Sequence, residues 1–167
     1  ERQRSAHVHV TRSLNFLLYY QGAWTSRKNP AGLLRAWAMA FTPEDKVELV
    51  LHCPGADRTA FAVALHQTGL AAQDMATVTF TTDRFSEAEV MQMHRNCDCF
   101  VTASRGESWN LPAFDAMLAG RYVITTRGLG SDDFLVQTDA ALVPGYAAPA
   151  TVDVRVTGNV DGGIAMQ

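Results

Sequence analysis

Long apolar runs are missing from this chain of 167 residues. None reaches the roughly 20 residues that a membrane-spanning helix needs. A basic surplus is missing as well: 14 Lys and Arg face 17 Asp and Glu, for a net charge of −3. That balance leaves no electrostatic footprint for nucleic acid. Cysteine is scarce. Cys53, Cys97 and Cys99 are odd in number and widely spaced, unlike the framework of a disulfide-stapled domain. Cys97 and Cys99 should alternate on a strand, point to one face and be buried as small apolar residues rather than bind metal. The five histidines do not cluster with the cysteines, and His7 and His9 alone are a weak metal signal. A Gly-x-Gly-x-x-Gly run is absent after the first expected strand, which counts against a nicotinamide oxidoreductase. The opening Glu1-Arg2-Gln3-Arg4-Ser5 is followed by no apolar segment of signal-peptide shape. With no initiator Met, the chain reads as a piece of a longer protein.

What is present is alternation. The chain is 47% hydrophobic and 19% charged, a composition suited to one α/β domain. Strands are expected at Leu14–Tyr20, Val47–His52, Ala76–Phe80, Cys97–Ala103, Arg121–Thr125 and Ala140–Val143. Asn29-Pro30 should open a helix with Leu33, Leu34, Trp37 and Phe41 inward. Asp57 should cap a second helix reaching Leu70, with Phe61, Leu65 and Leu70 inward. Ser86 and Glu89 form a capping box for a third, which buries Val90, Met93 and His94. Pro112–Ala119 is a fourth helix, ended by Gly120 in the left-handed region. Ser131-Asp132-Asp133 should open a short fifth. Residues 146–167 read as a tail with one edge strand at Val152–Val156, and residues 1–13 as an extension.

Such strand–helix units imply a Rossmann-like, doubly wound parallel sheet in a single α/β domain, residues 14–145. The common order 3-2-1-4-5-6 makes strands one and four neighbours at a switch point, where ligands bind in open α/β sheets. The loop after strand one carries Arg27 and Lys28. The loop after strand four carries Glu107-Ser108-Trp109-Asn110-Leu111 and runs into a helix N-terminus. Arg and Lys suit a diphosphate as planar fork and point charge; read blandly, they are two exposed bases beside a turn. A helix N-terminus offers amides to an anion. Asp115 either reaches ligand hydroxyls or only complements the helix dipole. Trp109 either walls the pocket or packs. The loop Gly128-Leu129-Gly130 either moves as a lid or simply joins strand to helix.

The run Glu107-Ser108-Trp109-Asn110-Leu111-Pro112-Ala113-Phe114-Asp115-Ala116-Met117-Leu118-Ala119-Gly120 resembles the donor motif of retaining glycosyltransferases of the two-domain GT-B fold, family 4 above all. The likeness extends to Phe85-Ser86-Glu87-Ala88-Glu89, to Asn96–Val101, to Tyr122–Thr126 and to Trp24–Trp37. The resemblance implies the C-terminal, nucleotide-sugar-binding half of such an enzyme, a cytoplasmic hexosyltransferase of carbohydrate biosynthesis. It implies a nucleoside diphosphate sugar as donor, transfer with retention, and neither metal nor cofactor. By position, Glu107 is the motif's first acid, the catalytic-site residue that contacts hydroxyls of the donor sugar. Arg27 and Lys28 hold the diphosphate with the amides of Trp109, Asn110 and Leu111. Asp115 holds the ribose, although it is one methylene shorter than the usual Glu. Ser108 and Asn110 stand where glycine is usual, and Asn accepts the left-handed region more readily than Ser. These departures leave a second reading, a non-catalytic nucleotide-sugar-binding or scaffold module. The acceptor domain would lie outside this chain, so binding without turnover is expected. Self-association is expected too, because the tail offers no helix to cover the last strands.

Overall fold

A computed structural model describes residues 16–69 and 71–145. The expected N-terminal extension, Leu14, Leu70 and the tail with its Val152–Val156 strand lie outside the described residues.

Six strands form one sheet: β1 (Phe16–Gln21), β2 (Val47–His52), β3 (Thr77–Thr81), β4 (Cys99–Val101), β5 (Tyr122–Thr126) and β6 (Ala141–Val143). Their order is β3-β2-β1-β4-β5-β6 and every pairing is parallel, as the alternation of elements requires. The helices are α1 (Pro30–Ala40), α2 (Arg58–His66), α3 (Glu87–Asn96), α4 (Leu111–Leu118) and α5 (Asp132–Leu135).

Strand periodicity divides the interior in two. On β1, Leu18 and Tyr20 enter a core with Leu33, Leu34 and Trp37 of α1 and Ala64 of α2. Leu17 and Tyr19 point the other way, to Met93 of α3, Ala113 and Ala116 of α4 and Leu135 of α5. Successive side chains of a strand face opposite sides, so a strand apolar on both must be covered on both. That is why the helices divide between the two faces. The buried indole of Trp37 is satisfied by donation to the Ala76 carbonyl at 3.0 Å.

Several local signals hold. Ser86 and Glu89 close the capping box of α3. Asp57 accepts the Thr59 amide at 2.8 Å to cap α2. Gly120 has φ 70° just past α4. Other expectations fail. β4 is shorter than the run Cys97–Ala103. Cys97 terminates α3, its amide bonded to the Met93 carbonyl at 3.0 Å. Cys97 lies in the second core and Cys99 in the first, so the two thiols are buried on opposite sides of the sheet, not on one face. α2 ends at His66. A 3₁₀ turn at Ala72–Asp74, which the sequence did not announce, leads into β3.

Candidate functional site

β1 and β4 lie side by side, with Leu18 opposite Cys99 and Tyr19 opposite Phe100. The crossover from β1 runs towards β2 and that from β4 towards β5. The loops at their carboxyl ends therefore diverge from a shared crevice, the switch point of the sheet.

Those loops, 22–29 and 102–110, are stitched together. The Arg105 amide donates to the Arg27 carbonyl at 2.8 Å. The Arg27 guanidinium donates through Nη1 to the Gly106 carbonyl at 2.7 Å and to Glu107 Oε2 at 3.3 Å. Lys28 Nζ donates to Glu107 Oε1 at 2.6 Å. The Asn29 carboxamide donates to the Ala103 carbonyl at 3.1 Å. The loop after β5 joins from the other side: the Gly130 amide donates to the Glu107 carbonyl at 3.1 Å. Gly130 passes so close to Ser108 that a β-carbon there would overlap the Ser108 carbonyl.

Glu107 is the hub. Its side chain is 5% exposed, that of Lys28 15%, and that of Arg27 59%. Burial opposes ionisation of the carboxyl. Hydrogen bonds from Lys28 and Ser104, with the charges of Lys28 and Arg27, outweigh it and hold the carboxyl below the usual range. Sequence reasoning brought Arg27, Lys28 and Glu107 to one crevice. It missed that they pair with one another, and it missed Ser104, which is buried and reaches Glu107.

α4 begins at Leu111 from a left-handed cap. Asn110 has φ 69° and ψ 61°, and Asn29 at the start of α1 has φ 53° and ψ 42°. Each stands one or two residues before a proline in the first turn, which suits a helix start. This matched pair of Asn-led caps was visible in the sequence and marks both loops of the crevice. The amides of Trp109, Asn110 and Leu111 donate no hydrogen bond among the described residues. Those of Asn110, the cap, and Leu111 are orphan donors of a helix start, and that of Trp109 precedes them. Asn110 is buried, and its Nδ2 has no partner among the described residues. Trp109 packs on Phe114 and Phe134, with ring centroids 5.9 and 5.1 Å away, so its role as a packing residue is visible. The side chain of Leu111 is exposed.

Asp115 is the fifth residue of α4, a turn beyond the helix start, so it is not a first-turn acid and the dipole reading loses its basis. It is half-buried and makes no side-chain hydrogen bond among the described residues. Its charge acts on His94 of α3. The buried His94 ring has no partner on either nitrogen among the described residues, and burial, outweighing Asp115, holds its pKa below the ordinary value. His52, also buried, is satisfied: Nδ1 meets the Tyr19 hydroxyl at 2.9 Å and Nε2 the Asp83 carbonyl at 3.0 Å. Among the described residues no three His, Cys, Asp or Glu gather as a metal site. No described helix is long and apolar enough to cross a membrane. Two clefts lie elsewhere. One of about 420 Å³ is lined by Trp24, Ala31, Ala60 and Val63, the other of about 340 Å³ by Met117, Tyr122, Leu135 and Ala140. Neither touches Glu107, so their size does not make them the better site.

Comparison with known proteins bears on this geometry. Sequence comparison with curated proteins returns no match. Solved structures share the fold. The catalytic domain of cholesterol-α-glucosyltransferase from Helicobacter pylori is 18% identical with a TM-score of 0.61, and 77% of each chain is covered. Anabaena HepE, solved in complex with UDP-glucose, is 20% identical with a TM-score of 0.60; the match covers 78% of this chain and 35% of that one. The C-terminal domain of the group 1 glycosyl transferase LpcC from Francisella tularensis is 21% identical with a TM-score of 0.61, covering 78% and 68%. The chain thus spans about a third of HepE, and its sheet is that of GT-B glycosyltransferase C-terminal domains. The family described as Glycosyl transferases group 1 matches residues 15–157, most of the sequence, and the chain belongs to it.

Proposed function

We propose that this chain is the donor-binding half of a family 4-like, retaining glycosyltransferase and takes a nucleoside diphosphate sugar at the crevice between residues 22–28 and 104–115. One observation carries the reading. Two cations meet a buried, ionised Glu107 at a switch point, and the amides of Trp109, Asn110 and Leu111, which follow it in the loop, donate to no described group. Cations and oriented amides stabilise a leaving diphosphate without a metal. A carboxylate beside them accepts two hydrogen bonds at once, which suits vicinal hydroxyls of a sugar. Asp115, on the α4 face turned to α3, is left for the ribose. Transfer itself calls for an acceptor-binding domain beyond this chain. The three cysteines are buried as free thiols, the usage of a reducing, cytoplasmic compartment.

The second reading, a scaffold that has kept the fold, draws on two features. The short Asp115 makes no side-chain hydrogen bond among the described residues, and both cations are already engaged by Glu107. Calorimetric titration of uridine, guanosine and adenosine diphosphates separates the two. Donor binding requires that a diphosphate bind more tightly than its nucleoside. Lys28→Ala should then weaken it by roughly 1.5–3 kcal/mol, the worth of a charged hydrogen bond. Equal affinity for diphosphate and nucleoside would favour the scaffold.

A further inference from the structure

We propose that Glu107 and Lys28 exchange partners when a sugar nucleotide enters, so that the crevice reads diphosphate and sugar together and resists the bare diphosphate. This deepens the donor-binding reading above and rests on it.

The geometry sets the problem. Lys28 Nζ sits 2.6 Å from Glu107 Oε1, and both side chains are largely withdrawn from water. Lys28 Nζ carries three protons and spends one on Glu107, so a diphosphate held by the amides of Trp109, Asn110 and Leu111 competes with the carboxylate for its charge and draws Nζ away from Oε1. The carboxylate then loses its shortest donor, the one that with Lys28 in place keeps the Glu107 side chain only 5% exposed. What remains to the carboxylate is Ser104 and the longer contact with Arg27, at 3.3 Å and itself mostly exposed. Removing one partner of a buried charge is costly because the other is left underdonated. Hydroxyls of a sugar esterified to the second phosphate would stand next to Lys28 and could donate to the freed carboxylate. A bare diphosphate brings no such donors. Glu107 is therefore more than a contact for the sugar: it penalises the same nucleotide once the sugar has gone. That asymmetry favours loading of the intact donor and release of the spent one.

A residue that only touches the sugar would leave the bare diphosphate unaffected, and this decides the test. Calorimetry on the full chain would use uridine, guanosine and adenosine diphosphates, their glucose esters, and inorganic pyrophosphate. Glu107→Gln should tighten the diphosphate that binds, and pyrophosphate, by about fivefold or more. The sugar ester should gain less or weaken. In a Lys28→Met background the tightening should vanish, since no cation is then released. Thermal melts establish that each variant is folded. Should Glu107→Gln unfold, Glu107→Asp serves: the shorter acid draws back from Nζ, and the same sign is expected with a smaller size. Unchanged or weaker diphosphate binding by folded Glu107→Gln overturns the exchange while leaving donor binding intact. If neither the wild type nor any variant binds any of these probes, the donor-binding reading itself falls.

Discussion

Two buried histidines on the same face of the sheet make opposite predictions, because one is satisfied and the other is not. His52 uses both ring nitrogens, on the Tyr19 hydroxyl and the Asp83 carbonyl. His94 uses neither. Burial holds both below the ordinary histidine value of 6.5. Above pH 6.5 folded and unfolded chains both carry neutral imidazoles. As pH falls through that value, the unfolded chain takes up protons that the folded one refuses, so stability falls. Glu107, held below its usual 4.5, adds a later loss, because its ion pairs disappear as the folded carboxyl protonates. Urea denaturation between pH 8 and 5 should show the histidine loss. His94→Leu should flatten it and leave stability at pH 8 unchanged or raised, since it removes two unpartnered polar atoms from the core. His52→Leu should flatten it too but cost about 1–3 kcal/mol at pH 8, because it strands a hydroxyl and a carbonyl. Equal costs for the two variants would contradict the difference in partners.

At the scale of elements, the crevice is three loops held against one another, and glycine acts in two different ways around it. Gly120 ends α4 with φ 70° and open space around it, so only its backbone conformation matters. Gly130 is required for space, because its backbone crosses Ser108 and its amide holds the Glu107 carbonyl. Gly120→Ala should cost about 1 kcal/mol and leave nucleotide affinity as it was. Gly130→Ala should cost about 1–3 kcal/mol and also weaken the diphosphate, since the displaced loop carries Glu107 with it. Denaturation and calorimetry on the same two variants check this; an unaffected site in Gly130→Ala would detach the β5 loop from the crevice. The sequence showed one of these glycines for what it is and not the other. Gly120 follows a helix pattern and announces a cap, whereas nothing in Gly128-Leu129-Gly130 points to Ser108. The same divide runs through the fold. Strand order and the two-faced core were legible, because period-two apolar runs separated by helices admit few arrangements. The start of β4 was not, because Cys97 is as apolar at the end of a helix as in a strand, and Asp98 turns back to accept the Leu17 amide at 2.7 Å. The pairing of Lys28 with Glu107 spans 79 positions and follows only from the strand order, not from any local pattern.

For the whole molecule, the two ends of the sheet carry different chemistry. The carboxyl ends hold the charged crevice. Near the amino end of β5 is the cleft of about 340 Å³ lined by Met117, Tyr122 and Leu135. Tyr122 there is 63% exposed, and Leu118 and Val136, next to the lining residues Met117 and Leu135, are 66% and 56% exposed. Of these three only Tyr122 lines the cleft, where with Met117 and Leu135 it offers apolar surface to a contact beside the polar Arg121 and Asp139. Nearby α5 is a single turn of four residues and β6 only three residues long, so little described structure shields this corner. Self-association through it is the expected result, with a mass that rises with protein concentration in light scattering. Tyr122→Lys should return the chain to a concentration-independent mass by placing a charge in the contact. It should not change affinity for a nucleoside diphosphate, because Tyr122 begins β5 whereas the crevice lies beyond the ends of β1 and β4. A wild-type mass that stays constant across a dilution series would remove the apolar corner as a contact surface. A Tyr122→Lys chain that lost both association and nucleotide binding would show instead that the two ends are coupled through α4, whose start lines the crevice and whose end reaches the cleft.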